Sequence, residues 1–229
     1  DLESALASPK GQGPGRHPLP SRVIFERAMR AAGVSRDSFV VAYDDAGGMF
    51  AARLWWLLRW LGHKPVAVLD GGIQAWSGSA HPLTLDTSMP AATDFPVRLQ
   101  ASARVDAEYV QSHLRDPAIP LIDARAPDRF RGENETLDPV GGHIPGALNR
   151  FFRDNLGADG CFKPPAQLQE EFGRLIKGGD AHKVVHQCGS GVTACHNMLA
   201  MEAAGLTGSR LYPGSWSEWC ADPARPVVT

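Results

Sequence analysis

Two rhythms of apolar and polar residues alternate along this chain. Short β-branched or apolar runs lie at residues 38–43 (Ser-Phe-Val-Val-Ala-Tyr), 65–69, 119–124, 183–187 and 209–212. Their length and the Gly, Pro and Asp that bound them predict buried strands. Between them the apolar spacing is helical. Helices are expected over 22–32 before Gly33, over 49–61 before Gly62, and as a short piece carrying Trp76. Others are expected over 106–114, over 165–176 with Leu168, Phe172, Leu175 and Ile176 on one face, and over 194–204 before Gly205. A final short helix should follow the turn Pro213-Gly214-Ser215-Trp216. Glycines close these patterns as helix stops. Strands alternating with helices predict an α/β protein with mostly parallel sheets.

The pattern occurs twice. Residues 39–44, a glycine pair at Gly47-Gly48, and Leu69-Asp70-Gly71-Gly72 through Trp76 match Val184 to Cys188, the Gly191 region, and Leu211-Tyr212-Pro213-Gly214 through Trp219, at nearly equal spacing. Two copies of one domain are therefore expected. Residues 1–77 form the first, 78–100 a linker holding Pro82, Pro90 and Pro96, and 101–229 the second. The second copy has a strand at 121–123 and a Gly142-His143-Ile144-Pro145-Gly146-Ala147 loop that the first copy lacks. The first domain is thus expected to be truncated at its N-terminus, its sheet short of a strand. Residues 1–21, rich in Gly, Pro and Ser, suggest an irregular surface segment.

At the equivalent position the copies differ: Asp44 in the first, Cys188 in the second. Cys188 sits between a strand end and a helix start, where an open α/β sheet presents ligands and where N–H groups favour an anion. Gly189 and Gly191 let the loop 188–193 curl its N–H groups toward one point, and Ser190 and Thr193 can add hydroxyl donors. Such a loop suits a nucleophilic thiolate. A cysteine phosphatase would need an arginine where this chain has Ala194. His186, Cys188, Cys195 and His196 show no structural-zinc spacing, so no metal is expected. Asp44 and Asp45 fit a disarmed copy of the cysteine loop better than a cation site. His143 fits a turn residue satisfied by backbone, and Trp76, Trp216 and Trp219 fit packing beneath the loops.

Composition narrows the partners. The chain has 229 residues, 43% hydrophobic and 21% charged, with net charge −2. That balance points to neither nucleic acid nor a membrane surface. The apolar run 54–58 is too short to span a bilayer. Four cysteines without a CxxC pair fit free thiols in a reducing, cytoplasmic compartment.

The Gly142 to Ala147 loop, Cys188-Gly189-Ser190-Gly191-Val192-Thr193-Ala194, the turn Pro213 to Trp219 and the Asp44/Cys188 tandem together resemble the two-domain rhodanese family. The resemblance covers nearly the whole chain. It implies an inactive first domain and a catalytic second one, each a mostly parallel sheet flanked by helices. It implies transfer of a sulfane sulfur from a small anionic donor to a nucleophilic acceptor, cyanide or a thiol, through a persulfide on Cys188, without metal or organic cofactor. It makes Arg129 the substrate-binding cation, with Gly189, Ser190, Gly191, Val192 and Thr193 cradling the donor. It also gives Arg125 and Asp123 a shaping role and leaves Arg131 on the surface. The Gly-Ser-Gly loop resembles that of enzymes using 3-mercaptopyruvate. Those enzymes carry a second arginine nine positions after the first, where this chain has Asp138. An acid there would repel a keto-acid carboxylate. Thiosulfate is therefore the expected donor, 3-mercaptopyruvate the alternative, and a non-catalytic sulfur carrier the reading from another class.

Overall fold

The computed structural model describes residues 2–86 and 90–229, so Asp1 and three positions of the expected linker lie outside the described residues. Two α/β domains follow one another. The first holds α1 (Arg22–Ala31), β1 (Val40–Ala42), α2 (Ala51–Trp60), β2 (Val66–Val68) and α3 (Gly72–Gly78). The second holds α4 (Ala107–Ser112), β3 (Leu121–Asp123), the one-turn α5 (Pro127–Phe130), β4 (Leu148–Asn149), α6 (Pro165–Leu175), β5 (Val185–Gln187), α7 (Ala194–Ala203), β6 (Arg210–Leu211) and α8 (Ser215–Trp219).

Every strand pairing is parallel. In the second sheet the order is β4-β3-β5-β6, with Ile122 opposite His186 and Val185 opposite Arg210. The first sheet, among the described residues, is β1 beside β2, with Val41 opposite Ala67. Two helix starts carry side-chain caps. Ser21 caps α1 by accepting the Ile24 N–H at 3.3 Å, and Phe25 and Met29, one turn apart, face the core. Asp106 caps α4 by accepting from Tyr109 N–H at 2.9 Å. Strands are shorter than the apolar runs that predict them, because the flanking residues turn into loops.

α2 is buried almost all round: Trp55, Trp56, Leu57, Leu58 and Arg53 are inside. It lies between the domains and packs on α7, so the two helices that follow the two equivalent loops meet face to face. Trp55, Trp56, Cys188, Cys195 and Met198 share one apolar cluster that crosses the domain boundary. Polar ties reinforce it: Arg59 pairs with Glu202 at 2.7 Å, and His196 Nε2 lies 3.0 Å from the Gly47 carbonyl.

Two segments depart from expectation. Residues 2–20 are not a detached surface stretch. Leu2–Leu6 forms a short π-helical turn, Leu6 and Ala7 are buried, and the chain then runs across to the second domain. Residues 9–14 are exposed as expected, whereas Pro18 and Pro20 are buried, so the Gly and Pro content marks an irregular path that is at the surface only in part. The later part of the expected linker is also packed down. Phe95 is fully buried against Phe25, and Arg98 and Gln100 donate their N–H groups to the Leu61 and Trp60 carbonyls. Trp216 and Trp219 are buried, as packing residues should be. Trp76 instead lies at the surface, its ring tilted against His81 with centroids 4.4 Å apart.

Candidate active site

β5 delivers Cys188 to the end of the central strand pair, and α8 holds it there. The Cys188 N–H donates to Ser215 Oγ at 3.1 Å, while the Cys188 and Gly189 carbonyls accept from Trp216 and Ser217 N–H at 3.0 and 2.9 Å. Gly191, at φ +77°, turns its N–H back onto Cys188 Sγ at 3.1 Å. A Cβ at Gly191 would run into the Pro213 backbone, so only glycine fits this close approach. Val192 is buried, and Thr193 leads into α7 without a side-chain capping bond. The N-terminus of α7 thus stands behind the sulfur, an arrangement that suits negative charge. Cys188 itself is 2% exposed.

α5 begins with Pro127, which fixes the first turn and presents Arg129 to the loop. Its terminal nitrogens lie 3.6 Å from where a Cβ on Gly189 would stand. Glu135 grips Arg129 from behind, Oε1 to Nη2 at 2.8 Å. Burial alone would raise the Glu135 pKa, but the bonds from Arg129 and from the Leu137 N–H outweigh it and hold the carboxyl below its usual range. Arg125 is buried and paired with Asp123, Nη2 to Oδ2 at 2.7 Å. It also donates to the Gly142 carbonyl at 2.7 Å and lies 4.6 Å from the Trp216 ring centre. It thus ties β3, the Gly142 loop and α8 into the floor of the site. Arg131 points outward, paired with Glu133 at 2.8 Å. His143 stacks on Phe130, its Nδ1 2.9 Å from the Phe130 carbonyl, a turn role.

The first domain supplies the rest. Arg16 forms an ion pair with Asp138, and its Nη2 lies 3.0 Å from the position of a Gly189 Cβ. His17 Nδ1 lies 2.7 Å from Ser190 Oγ. Burial first, then the charges of Arg16 and Arg53, lower the His17 pKa below its usual 6.5, so the ring is neutral at pH 7. Arg53 is fully buried and donates to the Gly191 carbonyl at 2.9 Å, with the Leu6 and His17 carbonyls as further acceptors. The expectation that Asp138 would face the donor as a bare acid is corrected: its carboxylate is engaged by Arg16 and lies 3.6 Å from Arg129. Sequence reasoning missed Arg16, His17 and Arg53. The adjacent Arg16-His17 pair inside a Gly/Pro stretch was the available signal, since functional side chains concentrate on loops.

The first-domain loop shows what replaced the thiol. Asp44 accepts four backbone N–H bonds, from Ala46, Gly48, Phe50 and Ala51, at 2.8–2.9 Å. Desolvation opposes its ionisation, yet those bonds win and lower its pKa. The carboxylate fills its own anion cradle. The histidines and cysteines near Cys188 diverge: His186 lies against Met201 Sδ at 3.2 Å, while His196 stacks on Phe162. Among the described residues no group of three His, Cys, Asp or Glu converges on a metal position.

Comparison with known proteins agrees with this architecture. A Pseudomonas aeruginosa protein named "Probable 3-mercaptopyruvate sulfurtransferase" is 50% identical over all of this chain and 81% of its own length. The Mus musculus thiosulfate sulfurtransferase is 38% identical over 88% of the chain and 69% of its own length. The solved 3-mercaptopyruvate sulfurtransferase of Leishmania major superposes with a TM-score of 0.84 at 29% identity, over 96% of this chain but only 62% of that longer one. The family model for the rhodanese-like domain matches residues 10–79 and 106–222, and with both copies matched the chain belongs to the rhodanese family of sulfurtransferases.

Proposed function

We propose that this sulfurtransferase takes its sulfur from 3-mercaptopyruvate, carries it as a persulfide on Cys188, and passes it to a thiol or cyanide. The observation that carries the donor choice is the His17–Ser190 contact at 2.7 Å. Thiolate attack on the donor's sulfur breaks a C–S bond and leaves the enolate of pyruvate, which must take up a proton. Ser190 is placed to hand that proton over, with neutral His17 as its hydrogen-bond partner. Sulfite, the group that leaves thiosulfate, departs as an anion and needs none. The expectation of thiosulfate rested on repulsion by Asp138, and Arg16 now neutralises that carboxylate. The 50%-identical relative named for 3-mercaptopyruvate supports the same choice.

The steps balance. Cys188 thiolate and the mercaptopyruvate anion give the Cys188 persulfide anion and pyruvate, the thiol proton ending on the pyruvate methyl. A second thiolate or cyanide then attacks the outer sulfur, and Cys188 leaves as thiolate. Arg129 holds the anionic end of the donor, Gly189 leaves it room, and the N–H groups of the loop through Gly191, Val192 and Thr193 steady the charge on the outer sulfur. This chemistry uses protein groups alone.

Thiosulfate is the second reading, supported by the 38%-identical mouse relative. A side-by-side comparison of kcat/KM for the two donors, with cyanide as acceptor, tests the choice. The proposal expects at least about tenfold preference for 3-mercaptopyruvate; preference for thiosulfate reverses it. Four free thiols agree with a reducing cytoplasm as the site of action.

A further inference from the structure

We propose that the cleft between the two domains on the face away from Cys188 binds a small aryl acid, a flat aromatic body carrying one carboxylate.

The cleft is a cavity of about 430 Å³, within the range of small-molecule sites. The first domain lines it with Trp55, Trp56 and Trp60 of α2 and with Lys64 ahead of β2; the second lines it with Glu202 of α7 and Arg210 at the start of β6. All strand pairings are parallel, so the starts of β2 and β6 lie at the opposite end of their sheets from the loops of Asp44 and Cys188. Glu202 stands well along α7 from Ala194, on the order of 12 Å from the cysteine loop. The site is therefore separate from the one that handles sulfur.

Its floor is aromatic and its rim cationic. Trp55, Trp56 and Trp60 are nearly buried, and the Trp56 and Trp60 rings stack with centroids 5.4 Å apart at 14°. Indoles in this arrangement suit a further flat ring, offset-stacked or edge-on. Arg59 lies over the Trp55 ring at 5.1 Å and pairs with Glu202 at 2.7 Å. Glu202 is the one acid among the described lining residues, and Arg59 already meets its charge. Lys64, which is exposed, and Arg210 have no carboxylate partner among the described residues. Two uncompensated cations beside an apolar floor call for an anion with an apolar body.

The unpaired atoms of the lining point the same way. Trp60 Nε1 and Arg210 Nε are buried without a hydrogen-bond partner among the described residues, although Arg210 Nη2 donates to the Tyr109 hydroxyl at 2.8 Å. Both are donors. Buried donors left unpaired are costly, and a carboxylate, which only accepts, supplies two oxygens. A neutral aromatic would stack on the same floor and leave the cations and donors unmet. Because the walls come from both domains, an occupant holds them together and stabilises the fold by mass action.

The test is isothermal titration calorimetry and thermal melting of the 229-residue chain with 1-naphthoate as probe and 1-naphthamide as its neutral counterpart, together with sulfur-transfer rates in the presence of the probe. 1-Naphthoate is expected to bind with a dissociation constant of about 100 μM or tighter and to raise the melting temperature. 1-Naphthamide should bind at least about fivefold more weakly. Lys64→Glu, a surface change, should keep wild-type melting and turnover, weaken 1-naphthoate about tenfold and leave 1-naphthamide unchanged. Trp60→Phe keeps an aromatic ring, removes the Nε1 donor and should weaken 1-naphthoate about threefold. Absence of both heat and melting shift at about 1 mM probe overturns the site. So does 1-naphthoate binding that Lys64→Glu leaves at wild-type strength, or competition between 1-naphthoate and the sulfur donor, which would put the acid at Cys188. If Trp60→Phe does not fold, the Lys64→Glu comparison decides alone.

Discussion

His17 Nδ1 and Ser190 Oγ lie 2.7 Å apart although 173 positions separate them. One belongs to the first domain and the other to the cysteine loop of the second, so the site is completed by the domain that lacks a cysteine. If the pair passes a proton to the leaving enolate, its loss should fall unequally on the two donors. Ser190→Ala and His17→Gln are each expected to lower turnover of 3-mercaptopyruvate by about a hundredfold and that of thiosulfate by less than about tenfold. Parallel rate measurements with both donors check this; equal losses would make the pair merely structural.

Asp44 is the carboxylate counterpart of Cys188, and its four N–H bonds tie the first-domain loop to the start of α2. Asp44→Ala would strand those donors in a half-buried loop. A stability loss of about 2–3 kcal/mol is expected, read from urea unfolding. Turnover per folded molecule should change little, because Asp44 contacts none of the groups around Cys188.

Much of the fold was legible in the sequence because its devices are local. The glycine stops and the β-branched runs each act within a few residues, so five of the six strands and most of the helices around them could be placed to within a few positions; the two-residue β4 and the one-turn α5, too short to show a period, could not. The repeat exposed the two-domain plan and marked Asp44 and Cys188 as equivalents. What could not be seen depends on contacts far apart in the chain. The Gly/Pro content of residues 2–20 told of an irregular path, but not that it would carry Arg16 and His17 to the cysteine loop. Asp138 looked repulsive because a sequence position shows a charge without its partner. Arg53 borders the apolar run 54–58, and only the packing of α2 against α7 brings it to the Gly191 carbonyl.

Acid should weaken the native state well before most carboxylates titrate. Burial holds His186 at about 3 and His196 at about 4, against an ordinary 6.5. As pH falls through 6.5, the unfolded chain binds protons at both rings while the native chain does not, so stability drops through a window that runs down to about 4 for His196 and about 3 for His186. Well above 6.5 both rings are neutral in either state and contribute no slope. Urea midpoints compared at about pH 7.5 and about pH 5 should show a clear fall, and His186→Leu should reduce the pH dependence. A midpoint that is flat over this range would mean that the two rings are not buried neutral.

The central claim is that the transferred sulfur rides on Cys188. Intact-protein and peptide mass spectrometry after brief exposure to 3-mercaptopyruvate, without acceptor, tests it most directly. The account predicts a gain of one sulfur atom on the peptide carrying Cys188, its loss when cyanide is added, and no gain in Cys188→Ser. Sulfur accumulating on Cys161, Cys195 or Cys220 instead, or undiminished turnover by Cys188→Ser, would contradict it.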